Sequence, residues 1–289
     1  MKIEPSPSVL AHWARTYIPH RDYFFLKNED LSRVTSQLNE TIIMNRKSFF
    51  RHTTYTQVGL TSALETWQLS KEVDTVIIAE PNWLEQMCEI EREWIIKLQI
   101  RYNRGGILPS HYFSEPRVKS SYLNGSKVVV QSRMWYTLPL DQRKRILTHY
   151  AQDWDSWTTE PSSTYLPRHI ETTVNQFPAS SGPNCLSATL YAITAIDWHK
   201  NEWLHEEPFQ TALTLNQYKE HLNSDIKQND VLIWKNEEGT IIHATYCVDH
   251  QLFFNKNGQT LFHPWKLVSL STLEKLWERH YVVYRQDNL

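Results

Sequence analysis

Residues 230–248 read DVLIWKNEEGTIIHATYCV and contain two apolar runs, 230–234 and 240–248, separated by turn-forming residues. Both runs are rich in β-branched and aromatic side chains, which are typical of strands. A third run, 251–255, follows a turn near Asp249. Three consecutive strands joined by short turns predict an antiparallel sheet.

The segment around these strands, 184–289, has the predicted order helix, helix, strand, strand, strand, helix, strand. This order is typical of an α+β domain in which a small antiparallel sheet packs on helices. Two polar breaks that contain Pro and Ser, 158–163 and 178–183, precede it. They predict a linker at 161–183 between this domain and an N-terminal domain, 1–160.

The N-terminal residues, 1–160, predict a mixed and mainly helical domain to which the sequence assigns no role. Glu80 and the proline after it begin a segment with apolar residues at helical spacing, which predicts a helix with Cys88 on its buried face. An Asn-Gly pair within 121–130 predicts a β-hairpin. Residues 141–157 predict a further helix.

Composition restricts the class of protein. The chain has 289 residues, 30 Lys+Arg against 32 Asp+Glu, a formal net charge of −2 and 12% aromatic residues. This mixture is enough to build a core, and the near-neutral charge argues against a nucleic-acid partner. No run approaches the roughly 20 apolar residues of a membrane span, and the N-terminus lacks a secretory apolar region. Three cysteines without a CxxC pair favour free thiols, so we expect a cytoplasmic protein.

Cys185 directly follows Asn184, a preferred N-cap residue, and precedes an apolar stripe at helical spacing. We therefore expect its thiol in the first turn of a helix, where the helix dipole and unpaired N–H groups lower its pKa. The same N–H groups would stabilise an oxyanion. The alternative is a small buried hydrophobic side chain, which is the role of most free cysteines.

His243 lies on the second predicted strand and Asn255 on the third, twelve residues later. A three-residue loop at 248–250 would place them directly opposite each other on one face of the hairpin, whereas a two-residue loop would place them on opposite faces. In the first case Asn255 would hold the imidazole in one tautomer. Cys185, His243 and Asn255 would then supply a nucleophile, a base and an orienting group.

These motifs, in this order, resemble the NlpC/P60 superfamily of papain-like cysteine peptidases and amidases. The matching text is NCLSA at 184–188, QNDVLIW at 228–234, IHATY at 242–246 and FFN at 253–255. The resemblance covers about residues 175–285. It implies a papain-like fold, with Cys185 as the nucleophile, His243 as the general base and Asn255 as the third member, and it implies no metal or organic cofactor.

The flanks of the motifs differ from the family. Its members usually have Asp-Cys-Ser-Gly around the nucleophile, where this chain has NCLS at 184–187, and His-Val-Gly after the base, where this chain has HAT at 243–245. Many members cleave cell-wall peptides outside the membrane and carry a signal peptide and wall-binding repeats. Because this sequence shows neither, we expect an intracellular peptide or amide substrate, such as a recycled wall fragment.

Three further side chains are candidates for the wall of a substrate cleft, because pockets favour aromatic linings. They are Trp198, Trp265 and His263. His199 and His205 lack the spacing of a zinc motif, so no metal site is predicted.

Other polar or reactive residues have structural interpretations. Asn257 precedes a glycine and fits a turn, so it is a weaker orienting candidate than Asn255. Asp153 and Asp155 are expected to face solvent. Cys247 is expected in the sheet core, because a strand offers its thiol no helix dipole.

The sequence therefore predicts a hydrolase that cleaves an amide or peptide bond through a Cys-His-Asn triad and an acyl-enzyme. An acyltransferase or transglutaminase-like activity on the same triad stays open, although transglutaminase-like enzymes generally use Asp where this chain has Asn255 and Asn257. Two non-enzymatic alternatives also stay open. One is an inactive module that binds a peptide or protein partner, and the other is a core position for Cys185 with an accidental resemblance.

Overall fold

Two units make up the chain, and each combines helices with antiparallel strands. The computed structural model describes residues 1–54, 63–113, 118–161, 166–221, 225–277 and 280–286. The N-terminal unit is Leu10–Ala151, and the C-terminal unit is Met1–Val9 together with Gln152–Leu289.

The N-terminal unit contains two small sheets. Its strands are β1 (Asp22–Leu26), β2 (Ile42–Asn45), β3 (Thr75–Ala79), β4 (Ile107–Pro109), β5 (Leu123–Asn124) and β6 (Lys127–Val129). They form antiparallel sheets in the orders β1-β3-β2 and β4-β6-β5. The helices of this part are α1 (Pro7–Thr16), α2 (Arg46–Arg51), α3 (Glu89–Arg101), α4 (Ser132–Thr137) and α5 (Leu140–Gln152).

Two sequence predictions for this unit have different outcomes. The hairpin within 121–130 is confirmed as β5 and β6, and Gly125 has the positive φ of 59° that its turn requires. The buried helical position of Cys88 is wrong. Cys88 is exposed and has an extended backbone, and α3 begins only after it, because Glu91 accepts a hydrogen bond from the Cys88 N–H at 3.2 Å.

The C-terminal unit is built on one six-stranded sheet. Its strands are β7 (Tyr218–His221), β8 (Val231–Lys235), β9 (Ile241–Asp249), β10 (Leu252–Asn255), β11 (Lys266–Ser269) and β12 (Tyr281–Gln286). Their order is β11-β10-β9-β8-β12-β7, with antiparallel pairing throughout. Its helices are α6 (Arg168–Glu171), α7 (Cys185–Thr194), α8 (Glu206–Leu215) and α9 (Leu270–Trp277). The three predicted strands are confirmed as β8, β9 and β10, whereas β7 and β11 were not predicted.

Successive residues of a strand point to opposite faces, so the sheet of the C-terminal unit carries two cores. The helix-side core joins α7 and α8 to strand residues such as Ile233, Ala244 and Phe254. The α9-side core joins α9 to residues such as Leu232 and Cys247. The expected core position of Cys247 is confirmed, since it is fully buried.

Residues within the predicted linker, 161–183, belong to the C-terminal unit. Ile170 is fully buried in the helix-side core, and Leu166 packs there too. The division between the units falls at Gln152, ahead of the predicted boundary at residue 160. In the described ranges, no helix has the length and apolar character to cross a membrane.

Candidate active site

Cys185 is the first residue of α7, as the sequence predicts. The side chain of Asn184 accepts a hydrogen bond from the Ser187 N–H at 3.0 Å, and the Ser187 hydroxyl oxygen accepts one from the Asn184 N–H at 2.9 Å. This reciprocal cap fixes the residue at which the helix begins. The backbone N–H groups of Cys185, Leu186 and Ala244 interact with the thiol sulfur, so the sulfur lies between the start of α7 and strand β9.

The predicted lowering of the Cys185 pKa is wrong. Burial of the sulfur raises the pKa of this thiol and is the largest influence on it. The N–H groups and the positive charge of Lys256 act in the opposite direction but do not outweigh burial. The residue as a whole is half-buried, but its sulfur is buried. Because its pKa is raised, the thiol is neutral at pH 7.

His243 and Asn255 are brought together as predicted, but by a different register. A two-residue turn joins β9 to β10, with Asp249 paired with Leu252. That pairing alone would place the two side chains on opposite faces of the sheet. A bulge after Leu252 shifts the pairing by one residue and restores the shared face, so Asn255 lies diagonally across from His243. The His243 Nε2 to Asn255 Oδ1 distance is 2.8 Å.

The environment of His243 keeps its imidazole neutral. The ring is fully buried and stacks on the indole of Trp277, with ring centroids 4.3 Å apart and an interplanar angle of 10°. Trp234 lies against it at 5.5 Å. Burial lowers the pKa of His243 to about 4, and the hydrogen bond to Asn255 opposes this change. Since Nε2 donates to Asn255, Nδ1 carries the free lone pair, and it has no hydrogen-bond partner among the described residues.

The Cys185 thiol contacts strand β9 at Ala244, the residue directly after the one that carries the imidazole. The Cys185 sulfur interacts with the N–H of Ala244, the residue after His243, and Cys185 packs against the helix-side core. His243 stacks on Trp277 of α9. Within the described residues no hydrogen bond joins the Cys185 sulfur to His243 Nδ1. The structure thus pairs His243 with Asn255 on the α9-side face of β9 and places the Cys185 thiol against the backbone of the next residue, on the helix-side face.

A hydrogen-bond chain continues beyond Asn255 and was missed by sequence reasoning. Asn255 Nδ2 donates to Asn257 Oδ1 at 2.7 Å, and Asn257 Nδ2 donates to Asp155 Oδ1 at 2.9 Å. Lys266 Nζ donates to the same oxygen at 2.8 Å. The expected exposure of Asp155 is wrong, because its side chain is 5% exposed. The helix predicted over 141–157 ends at Gln152, so Asp155 is not on a helix.

Lys256 is a second charged residue that the sequence did not mark. It is fully buried, and its ammonium donates to the backbone oxygens of Gly258 and Thr260. Burial lowers its pKa to about 7, whereas the negative charges of Asp155 and of the ionised Cys185 raise it. Lys256 therefore supplies a positive charge that favours the thiolate form of Cys185.

A cavity of about 650 Å³ borders this site. Trp277 lines it, as do Asp155, Asn257 and Lys266 of the hydrogen-bond chain. His263 lines it as well, and burial lowers the pKa of His263 to about 3. The indole that covers the imidazole of the base is thus also a wall of the cavity.

Of the three predicted cleft residues, His263 lies at this cavity. Trp265 is 3% exposed and packs in the helix-side core, because β11, which begins directly after it, carries it into the interior. Trp198 is 60% exposed on a 3-10 helix, Asp197–Asn201. The structure therefore assigns neither tryptophan to the wall of the cavity.

Searches for similar proteins found no match to this chain among protein families, curated proteins or solved structures. Among the described residues, no group of three or more His, Cys, Asp and Glu side chains is arranged to hold a metal ion. The chemistry of the site therefore has to be inferred from the contacts of Cys185, His243 and Asn255.

Proposed function

We propose that the C-terminal unit is a papain-like hydrolase of the NlpC/P60 type that cleaves an amide or peptide bond through an acyl-enzyme. The observation that carries the proposal is the hydrogen bond from His243 Nε2 to Asn255 Oδ1 at 2.8 Å, which leaves Nδ1 without a hydrogen-bond partner among the described residues. A nucleophile, a base and an orienting group are the parts that acyl transfer requires. The three free cysteines favour a cytoplasmic reaction.

In the proposed reaction the Cys185 thiol passes its proton to His243 Nδ1 as the sulfur attacks the substrate carbonyl carbon. The N–H groups at the start of α7 stabilise the oxyanion. The imidazolium then gives this proton to the leaving amine, the carbon–nitrogen bond breaks, and a thioester remains on Cys185. Water, deprotonated by Nδ1, attacks the thioester and releases a carboxylic acid, and the proton returns to the thiol.

The raised pKa of Cys185 and the lowered pKa of His243 determine when the nucleophile forms. At pH 7 both groups are neutral, so the resting site holds a thiol and an imidazole rather than an ion pair. Because the thiol and the imidazole lie on opposite faces of β9, the proposal requires the sulfur and Nδ1 to come into contact when a substrate, or a small electrophile in its place, enters the site, so that proton transfer accompanies attack. Lys256 stabilises the negative charge on sulfur during that step.

The same two pKa directions favour a second candidate function. A neutral thiol without a hydrogen bond to the base also suits an inactive descendant that uses the cavity beside Trp277 to bind a peptide. The acyltransferase alternative differs only in that an amine replaces water as the acceptor. No observation favours it over hydrolysis.

The test is to trap the acyl-enzyme. In a Cys88→Ser background, which removes the exposed thiol, the protein is mixed with pools of peptides and activated amides and examined by intact and peptide mass spectrometry. We expect an acyl adduct on Cys185 that disappears with time, and no adduct or product in Cys185→Ala. Cys247→Ser, which changes the buried thiol of the same unit, should leave the adduct unchanged. Binding of pool members without any adduct or cleavage would contradict hydrolysis and favour the binding module.

A further inference from the structure

The hydrogen bonds beyond His243 have a fixed direction. The Asp155 carboxylate only accepts hydrogen bonds, and the Lys266 ammonium only donates them. Asn257 must therefore turn its Nδ2 toward Asp155 Oδ1, at 2.9 Å, and its Oδ1 toward Asn255. Asn255 must then donate through Nδ2, at 2.7 Å, and offer Oδ1 to His243.

This direction determines which imidazole nitrogen carries the proton. Because the atom that faces His243 is the acceptor Oδ1 of Asn255, Nε2 must be the protonated nitrogen. Nδ1 is then the unprotonated nitrogen that a general base needs. An Asn255 amide turned by 180° would present Nδ2 instead, and it would favour the opposite tautomer.

The burial of the charged end of the chain favours a positioning role over a stabilising one. The side chains of Asp155 and Lys266 are 5% and 2% exposed, and Asp155 Oδ2 has no hydrogen-bond partner in the described part of the chain. Replacing a buried ion pair with apolar residues is often neutral or stabilising, so such a pair is weak evidence of a contribution to stability. A buried polar network does specify one arrangement of the groups attached to it.

We propose that Asp155 and Asn257 are positioning residues that, through Asn255, hold His243 in the tautomer with Nε2 protonated and Nδ1 free. Asp155 sets the direction as an acceptor paired with Lys266, and Asn257 transmits the direction to Asn255. The use of this tautomer in acyl transfer rests on the function proposed above. The tautomer itself is a property of the resting protein and needs no substrate.

The imidazole nitrogens of His243 are read by long-range ¹H–¹⁵N NMR at pH 7, where the ring is neutral. We expect a protonated Nε2 and an unprotonated Nδ1 in the wild type. In Asn257→Ala, Asn255 loses the acceptor that orients it, so the shifts of the two nitrogens should move toward each other as the second tautomer becomes populated. Asn201→Ala, which removes an exposed amide of the same unit, should leave both shifts unchanged.

Asp155→Asn separates the charge from the hydrogen bonds. It retains an oxygen for Asn257 and Lys266 and places the new amide nitrogen at the unpartnered Oδ2 position. We expect a smaller change in the His243 nitrogen shifts than in Asn257→Ala.

A protonated Nδ1 in the wild type would overturn the proposal even if neither variant folds. Wild-type nitrogen shifts in a folded Asn257→Ala, confirmed by its thermal transition, would overturn it as well. The hydrolase proposal fails separately, when no acyl adduct forms on Cys185 although the tautomer is the expected one.

Discussion

Replacing Trp277 with alanine removes the ring that covers His243. The indole and the imidazole are stacked 4.3 Å apart at 10°, and burial lowers the pKa of His243 from 6.5 to about 4. At about 1.36 kcal/mol per pKa unit, that difference corresponds to about 3 kcal/mol against the imidazolium. Trp234 covers the ring less closely, at 5.5 Å and 55°. We therefore expect Trp277→Ala to recover about half or more of this energy and to raise the pKa to about 5 to 6.

The assay is an NMR titration of the His243 ring protons between pH 3.5 and 8. Trp277→Phe is the matched control, because it keeps an aromatic ring over the imidazole, and its midpoint should stay near 4. Thermal unfolding of both variants confirms that each is folded. A midpoint that stays near 4 in a folded Trp277→Ala would refute the reasoning, because burial under Trp277 would then not be the cause of the low pKa.

Three further predictions concern charge. Burial lowers the pKa of His243 to about 4 and that of His263 to about 3, so below pH 6.5 the unfolded chain binds more protons than the folded one. The C-terminal unit should therefore lose several kcal/mol of stability as the pH falls from about 6.5 to 3. Denaturant unfolding at several pH values measures this free energy of unfolding. Burial raises the pKa of Asp22 to about 7, so the N-terminal unit should lose stability as the pH rises from about 4 to 7. The free energy of unfolding obtained from hydrogen exchange should depend less on pH in Asp22→Asn than in the wild type. Lys256→Met removes a positive charge that is present below about pH 7 and favours the Cys185 thiolate, so the rate of Cys185 alkylation at pH 6 should fall.

The central part of the sheet was predictable because its information is local. Strand residues alternate between the two cores, and polar turns separate β8, β9 and β10. The bulge after Leu252 was not predictable, because a two-residue and a three-residue loop fit the same sequence. The shared face of His243 and Asn255 was therefore reached by a register that the sequence did not indicate.

The rest of the site depends on contacts between residues far apart in the chain. Asp155 meets Asn257 and Lys266 more than a hundred residues later. In the sequence it lies within 141–157, whose periodicity predicts a helix, and an acidic residue at the end of such a segment is normally solvated. No local pattern distinguishes an aspartate that will be buried by a later strand.

The Cys185 thiol shows where two physical effects compete. The capped start of α7 was predicted from Asn184, and the N–H groups there do lower the pKa of the thiol. Burial raises it by more, and burial is set by tertiary packing against β9 rather than by the helix itself. Helix position alone therefore predicted the neighbours of the sulfur but not its ionisation.

The most direct test of a Cys185–His243 pair is the rate of Cys185 alkylation by iodoacetamide against pH, read by peptide mass in a Cys88→Ser background. If Nδ1 accepts the thiol proton, the wild-type rate should be nearly constant between about pH 5 and 8. The reason is that the Cys185–His243 pair neither gains nor loses a proton between the low pKa of the imidazole and the high pKa of the thiol. His243→Ala, and His243→Gln as a bulkier replacement, should instead lose about tenfold in rate for each pH unit below the thiol pKa. The same steep profile in the wild type and in both variants would contradict the account, because His243 would then take no part in activating Cys185.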